Sequence, residues 1–345
     1  MIDNKHKIEY EKDKLENRKK RLQDSLPTPY PFAIALELSN DCNSNCFMCP
    51  RKDLTRAVGG MSFSLFKKII DELYENKVLL RKIFLYWMGE PLLNASFDKM
   101  INYTREKNVA EMIVMATNAI ALDEEKAKKL IDSQLDELYI SLDAAWPKTY
   151  AYIRGNAATL PLVEKNILCL VEMKKKIGVS LPYIRLKILR TGFNEDEIED
   201  FKKKWEDIVD EVYVEEDLNT WNGLSDAVNK NIEEDSQYKK NLKGLPQRWP
   251  CDRLWYLMAI SQDGLITPCT VDWNGLGFIG DVNKNTIFDI WNSEALVEMR
   301  RKHLDGEWDN LPMCKKCQRW AFRNMGDWLI QNRELALSVN KKKYD

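Results

Sequence analysis

Histidine is nearly absent: His6 and His303 are the only two among 345 residues. That scarcity removes serine–histidine–aspartate triads, two-histidine zinc motifs and most histidine acid–base schemes. No apolar run approaches the roughly 20 residues needed to cross a bilayer, so no membrane partner is expected. The first thirty residues are densely charged (EYEKDKLENRKKRLQ) and hold no hydrophobic signal core, which argues against secretion and for the cytoplasm. An excess of one charge is lacking too. The 52 Lys+Arg and 54 Asp+Glu leave a formal net charge of −2, so no basic field speaks for nucleic acid. No segment repeats at a fixed period.

What the chain does have is cysteine. Hydrophobic residues make up 44% of it, material for one large domain plus a smaller one, and eight cysteines stand among them. Seven fall into two groups: Cys42, Cys46 and Cys49 near the start, and Cys251, Cys269, Cys314 and Cys317 near the end. Cys169 stands alone. In a large, reduced, intracellular chain, clustered cysteines point to metal more than to disulfides.

Residues 1–28 read as a polar helix that ends at the Pro27, Pro29, Pro31 run. Beyond it, strand-like runs (32–39, 82–88, 111–117, 137–143, 183–189 and 211–216) alternate with amphipathic helical stretches, with Ser62 or Ser64 and Asn194 as plausible caps. Six strand–helix alternations predict an α/β fold of parallel strands, either doubly wound or part of a barrel. The texture changes after residue 217. A loop-rich stretch leads to a hairpin at Asp263-Gly264, a helix capped by Ser293, and the pair Cys314-x2-Cys317. We expect a charged leader over 1–30, a core domain over 31–217, a linker over 218–250 and a small metal-stapled domain over 251–345.

The first cysteine group, ELSNDCNSNCFMCPR, has C-x3-C-x2-C spacing directly after the first strand. Three thiolates on one loop can hold three irons of a cubane and leave the fourth open, as a catalytic site requires. The motif resembles that of the radical SAM superfamily, C-x3-C-x-aromatic-C, with Met48 in place of the aromatic residue. The resemblance implies a [4Fe–4S] cluster on Cys42, Cys46 and Cys49 whose open iron binds S-adenosylmethionine (SAM). It also implies reductive cleavage to a 5′-deoxyadenosyl radical, hydrogen-atom abstraction from substrate, and a flavodoxin- or ferredoxin-type reductant. Met48 can pack against the adenine. Gly89-Glu90-Pro91 resembles the family's G-E-P step, whose backbone binds the SAM amino group. By the same resemblance Ser141 and Arg154 hold the SAM carboxylate, with Thr117, Asn118 and Asp143 nearby. These residues close successive strands, where α/β sites gather. The implied fold is the partial (β/α)6 barrel.

Cys251 and Cys269 are separated by 17 residues that carry the hairpin, and Cys314 follows 44 residues later. By spacing, a closed four-thiolate site suits zinc and a fully ligated [4Fe–4S] cluster alike. The surrounding residues resemble the C-terminal extension of SPASM and Twitch radical SAM enzymes, which implies one auxiliary [4Fe–4S] cluster. Such a cluster can take or relay an electron, or it can simply staple a small domain.

The resemblance is closest to short members that oxidise or epimerise hydroxyl-bearing carbons of sugars and aminocyclitols. In the linker, Trp221 and Asn222 are candidate substrate contacts, against ordinary aromatic packing. Glu215 and Glu216, at the end of the sixth strand, are polar substrate contacts, an acid–base pair, or a solvated turn. Cys169 is a candidate hydrogen donor for epimerisation, against a buried structural cysteine. Maturation of a ribosomally made peptide is the rival enzymatic reading, and a non-catalytic Fe–S or zinc binding protein the rival outside enzymes.

Overall fold

The computed structural model describes residues 15–155, 160–215, 247–315, 317, 319–322 and 325–340. Helix α1 (Leu15–Ser25) leads to β1 (Ala33–Leu36), all four of whose residues are buried, as in a parallel strand covered on both faces. Then follow α2 (Phe63–Glu75), β2 (Leu80–Phe84), α3 (Phe97–Lys107), β3 (Ala110–Thr117), α4 (Glu124–Asp132) and β4 (Glu137–Ser141). After these come α5 (Pro147–Arg154), α6 (Leu160–Ile177), β5 (Tyr183–Leu189), α7 (Ile198–Trp205) and β6 (Glu211–Glu215). Helix α2 shows the local logic. Ser62 caps it by accepting the Leu65 N–H at 3.2 Å, and Phe66, Ile69, Ile70 and Leu73 form one buried stripe. Each such side chain contributes about 1.5–3 kcal/mol on burial.

Strands β1 to β6 are all parallel and lie side by side in chain order. A doubly wound sheet reverses its order at a switch point, and this run of six has no reversal. Its same-handed crossovers therefore put the helices on one face, the arrangement of a partial barrel. Helix α5, which periodicity did not bring out, carries the usual punctuation: Pro147 in its first turn and Gly155, at φ +85°, just beyond its end. Asn194 does not cap a helix with its side chain. It accepts the Thr191 N–H at 2.7 Å and donates to the carbonyls of Asp143 and Leu189, both at 2.8 Å.

The C-terminal part continues the same sheet. Strand β7 (Leu257–Ile260) pairs in parallel with β1, register Ala33 to Leu257 and Leu36 to Ile260. Strands β8 (Leu265–Thr267) and β9 (Gly280–Asp281) add to it antiparallel, with Gly264 at φ +98° in the hairpin turn. LMAI is buried throughout, so it seats between β1 and β8 and not at a solvated edge. Helices α8 (Ile287–Trp291), α9 (Glu294–Leu304), α10 (Pro312–Lys315), α11 (Gly326–Gln331) and α12 (Arg333–Leu337) complete the fold. Leu22 of α1 packs into the cluster of Leu254, Trp255, Leu304 and Leu329, and Trp291 Nε1 donates to Thr28 O at 3.0 Å. The entering chain is thereby fastened to the C-terminal helices. Among the described residues no helix is long and apolar enough to cross a membrane.

Candidate active site

The loop after β1 carries Cys42, Cys46 and Cys49 at the C-terminal edge of the sheet. The last turn of α5 holds it: Asn45 N–H donates to Arg154 O at 3.3 Å and Phe47 N–H to Ile153 O at 3.1 Å. From the other side the Gly89-Glu90 step presses on it. Gly89 has φ +76°, and a Cβ there would lie 2.3 Å from Ser39 O and 2.5 Å from Asp41 O. Only glycine fits so close a backbone approach. Glu90 N–H then donates to Asp41 O at 2.7 Å.

The Glu90 side chain is spent inside the protein. Its carboxylate accepts from Leu92 N–H at 3.0 Å, Thr117 Oγ1 at 2.8 Å and Asn118 N–H at 2.7 Å, which ties the ends of β2 and β3 together. Burial pushes its pKa up, against those three donors. Asn118, so placed, turns Nδ2 toward Cys42 Sγ at 3.6 Å and Asn43 Oδ1 at 2.9 Å.

Arg154 is buried beside the same sulfurs. Its Nη1 donates to Cys46 Sγ at 3.4 Å, its Nη2 pairs with Asp143 at 2.7 Å, and its Nε has no hydrogen-bond partner among the described residues. Ser44 Oγ donates to Arg154 O at 2.7 Å and sits 3.2 Å from Cys46 Sγ. Asp143 is held at φ +65° and accepts the Leu189 N–H at 2.8 Å. Burial pushes the thiols of Cys42 and Cys49 up, Cys49 to about 11, so a thiolate there needs a neighbouring positive charge or a metal.

These groups line a cavity of about 370 Å³, within the usual size of a ligand pocket. Lys187 and Glu215, from the ends of β5 and β6, meet in it at 2.7 Å. Burial opposes ionisation of Glu215, yet the Lys187 ammonium holds its carboxyl below the usual range. The far wall consists of Arg253, Thr270, Val271 and Arg319.

Behind that wall Cys251, Cys269, Cys314 and Cys317 surround a second, smaller space, which Arg248, Arg253 and Arg319 also line. Two backbone N–H groups and one imidazole point at its sulfurs: Val271 N–H to Cys269 at 3.5 Å, Arg319 N–H to Cys317 at 3.4 Å, and His303 to Cys314, Nε2 to Sγ 3.3 Å. Burial depresses the His303 pKa to about 3, so the ring is neutral. Arg253, Val271 and Arg319 line both spaces, so the two cysteine groups share one wall.

A family model described as the radical SAM superfamily matches residues 36–204, and one described as an iron–sulfur cluster-binding domain, SPASM, matches residues 251–318. The chain belongs to the radical SAM superfamily. It is 27% identical over 161 residues to the tungsten-containing aldehyde ferredoxin oxidoreductase cofactor-modifying protein of Pyrococcus furiosus, covering 47% of this chain and 44% of that one. It is 32% identical over 158 residues to a probable GTP 3′,8-cyclase of Methanococcus maripaludis, covering 46% and 49%. The matched stretch thus spans about half the length of these curated relatives. Among solved structures, BtrN in complex with AdoMet and 2-DOIA matches with TM-score 0.52 and 19% identity over 83% of this chain and 92% of BtrN. Streptococcus suis SuiB bound to precursor peptide SuiA matches with TM-score 0.59 and 14% identity over 88% of this chain and 75% of SuiB.

Radical SAM enzymes of this two-part design carry SAM and [4Fe–4S] clusters, and the residues fit them. At the first site three thiols flank a cavity lined also by the buried Arg154, whose guanidinium lies beside Cys46 Sγ and Asp143 and so supplies positive charge for an anionic cluster and a carboxylate. At the second, four thiols are closed in among three arginines, which suits an anionic four-thiolate cluster. Of the residues expected from sequence, the structure gathers Met48, Gly89, Glu90, Thr117, Asn118, Ser141, Asp143, Arg154 and Glu215 around the cavity with the three cysteines. Pro91 starts the turn behind it and does not line it. Cys169 lies on α6 with Sγ 4.0 Å from Met173 Sδ and is not among the cavity's lining residues. Glu216, Trp221 and Asn222 lie outside the described residues. Sequence reasoning missed Lys187, Arg253, Arg319 and His303. A signal existed for Lys187: Arg185 and Lys187 alternate in an otherwise apolar strand, the mark of one polar sheet face.

Proposed function

We propose that this radical SAM enzyme dehydrogenates a hydroxyl-bearing small molecule of the sugar or aminocyclitol class. The observation that carries the reading is the wall of Arg253, Val271 and Arg319 common to the cavity and to the four-cysteine site. When bound, the first cluster and SAM supply a 5′-deoxyadenosyl radical that removes a hydrogen atom from the carbinol carbon, and the auxiliary cluster supplies an acceptor for the electron left behind. Cys42, Cys46 and Cys49 ligate the first cluster, and Cys251, Cys269, Cys314 and Cys317 the second. The backbone at Gly89 receives the SAM amino group, Arg154 and Ser141 its carboxylate, and Met48 its adenine. Glu215, kept ionised by Lys187, accepts the hydrogen bond of a substrate hydroxyl and takes its proton as the ketone forms, and Arg253 closes the pocket on the side of the second site. In this reading residues 31–217 form the catalytic core and 251–345 the auxiliary domain, joined by 218–250 behind a charged leader, 1–30. The enzyme works in the cytoplasm, and a flavodoxin- or ferredoxin-type protein feeds it electrons.

The test is isotope transfer. The anaerobically reconstituted protein, reduced with dithionite, is given SAM and carbinol-deuterated aminocyclitols and sugars. Deuterium in 5′-deoxyadenosine together with a ketone product supports the reading. Solvent hydrogen returned to the same carbon replaces dehydrogenation by epimerisation. Transfer from a labelled peptide and from none of the small molecules overturns the substrate class, in the direction of the peptide-bound SuiB.

A further inference from the structure

The imidazole of His303 touches two of the four cysteines of the second site in two different ways. Cys251 donates its backbone N–H to Nδ1 at 3.3 Å, while Nε2 lies 3.3 Å from Cys314 Sγ. A neutral imidazole has one acceptor nitrogen and one N–H. With Nδ1 occupied as acceptor, the proton belongs on Nε2, where it points at the sulfur. The ring is 1% exposed and lies edge-on to Trp308, centroids 6.3 Å apart, so packing holds this orientation. Among the described residues, the backbone N–H groups of Val271 and Arg319 also donate to these sulfurs. Among these three donors His303 is the one side chain, and the one a substitution can remove.

We propose that His303 is a positioning residue that sets the reduction potential of the auxiliary cluster by donating its Nε2–H to Cys314. An N–H···S hydrogen bond withdraws charge from a ligating sulfur. It therefore favours the reduced, more negative cluster and raises its potential. A raised potential is what an acceptor of a substrate electron needs. The inference rests on the reading that the four cysteines ligate that cluster, and it adds to that reading a named group and a direction.

The chain's two histidines make the test selective, because His6 stands in the charged leader. The full chain with Cys42, Cys46 and Cys49 replaced by alanine is reconstituted anaerobically so that any cluster signal comes from the second site. It is labelled with ¹⁵N-histidine, reduced, and studied by pulsed EPR. A ¹⁵N coupling that vanishes in His303→Gln, where the label is lost, is the expected result. By potentiometric titration His303→Phe shifts the midpoint negative, while His303→Gln, which keeps an amide donor and an acceptor, stays nearer the parent. A reduced cluster without ¹⁵N coupling, or a His303→Phe midpoint equal to the parent's at equal iron content, overturns the role of His303 and leaves the cluster assignment standing. Absence of iron from the second site overturns both.

Discussion

Arg154 Nη1 lies 3.4 Å from Cys46 Sγ, on a side chain whose Nη2 is 2.7 Å from Asp143. One buried cation is thus shared between a carboxylate and the sulfur of a proposed cluster ligand. Breaking a buried pair on one side costs about 3–5 kcal/mol, because the remaining charge is stranded. The geometry of the cysteine loop and the charge at its centre are therefore one structural unit.

Asp143→Asn tests that unit. Asparagine tolerates the φ +65° of this position nearly as well as aspartate, so backbone strain does not change. The charge does, and Arg154 loses the carboxylate 2.7 Å from its Nη2. We expect a stability loss of about 3 kcal/mol and weaker SAM binding. A urea titration and equilibrium SAM binding measure the two, and an unchanged urea midpoint contradicts the pairing.

Gly89→Ala probes the contact between the Gly-Glu-Pro step and the cysteine loop. The new methyl meets two carbonyl oxygens at 2.3 and 2.5 Å, and both belong to backbone with little room to yield. Overpacking of this kind costs about 1–3 kcal/mol, and the positive φ adds strain. Since the displaced segment carries Cys42, 5′-deoxyadenosine formation should fall further than stability does. Activity retained at parental level would show that the loop can shift without consequence.

Much of this site was readable in the sequence because its residues sit at fixed places in a repeated unit. Gly89, Thr117, Ser141 and Asp143 each end or follow a strand, and strand ends are what apolar runs mark. The sheet's continuation through β7 was not readable, because LMAI reads as a buried strand whatever its neighbour, and its pairing with β1 joins residues over 200 positions apart. Glu90 was read as part of a cofactor motif, whereas its side chain serves as an internal clamp; backbone and side chain of one residue have separate duties there. Arg253 and Arg319 come from short 3₁₀ turns near the second cysteine group, and local pattern gives no hint that they face the first.

Lys187→Met isolates Glu215. In the parent the Lys187 charge lowers the Glu215 pKa, so its contribution to stability is present above the ordinary value near 4.3 and is lost as pH falls through the lower folded value. Without the lysine, burial remains and pushes the pKa the other way. The rate at saturating SAM, flat on the acid side in the parent, should then decline about tenfold per pH unit below the new pKa. A variant whose profile keeps the parental shape shows that the ionisation of Glu215 has no part in turnover.

The proposed cluster ligands can be tested site by site. If Cys42, Cys46 and Cys49 ligate a cluster that leaves one iron to SAM, replacing any of them by alanine removes one of three ligands, so SAM cleavage should fall to background. Cys314 lies behind the shared wall, with its carbonyl held by Arg248 at 2.9 Å and its sulfur by His303. Cys314→Ala should therefore leave some SAM cleavage while product per 5′-deoxyadenosine formed drops, since the radical is still made but its electron has no acceptor. Counting both products in the same reaction checks this. If Cys314→Ala abolishes cleavage as completely as Cys42→Ala, with a matching fall in the denaturation midpoint, the second metal serves the fold. The wall of Arg253, Val271 and Arg319 would then be a boundary between two structural units, with no electron crossing it.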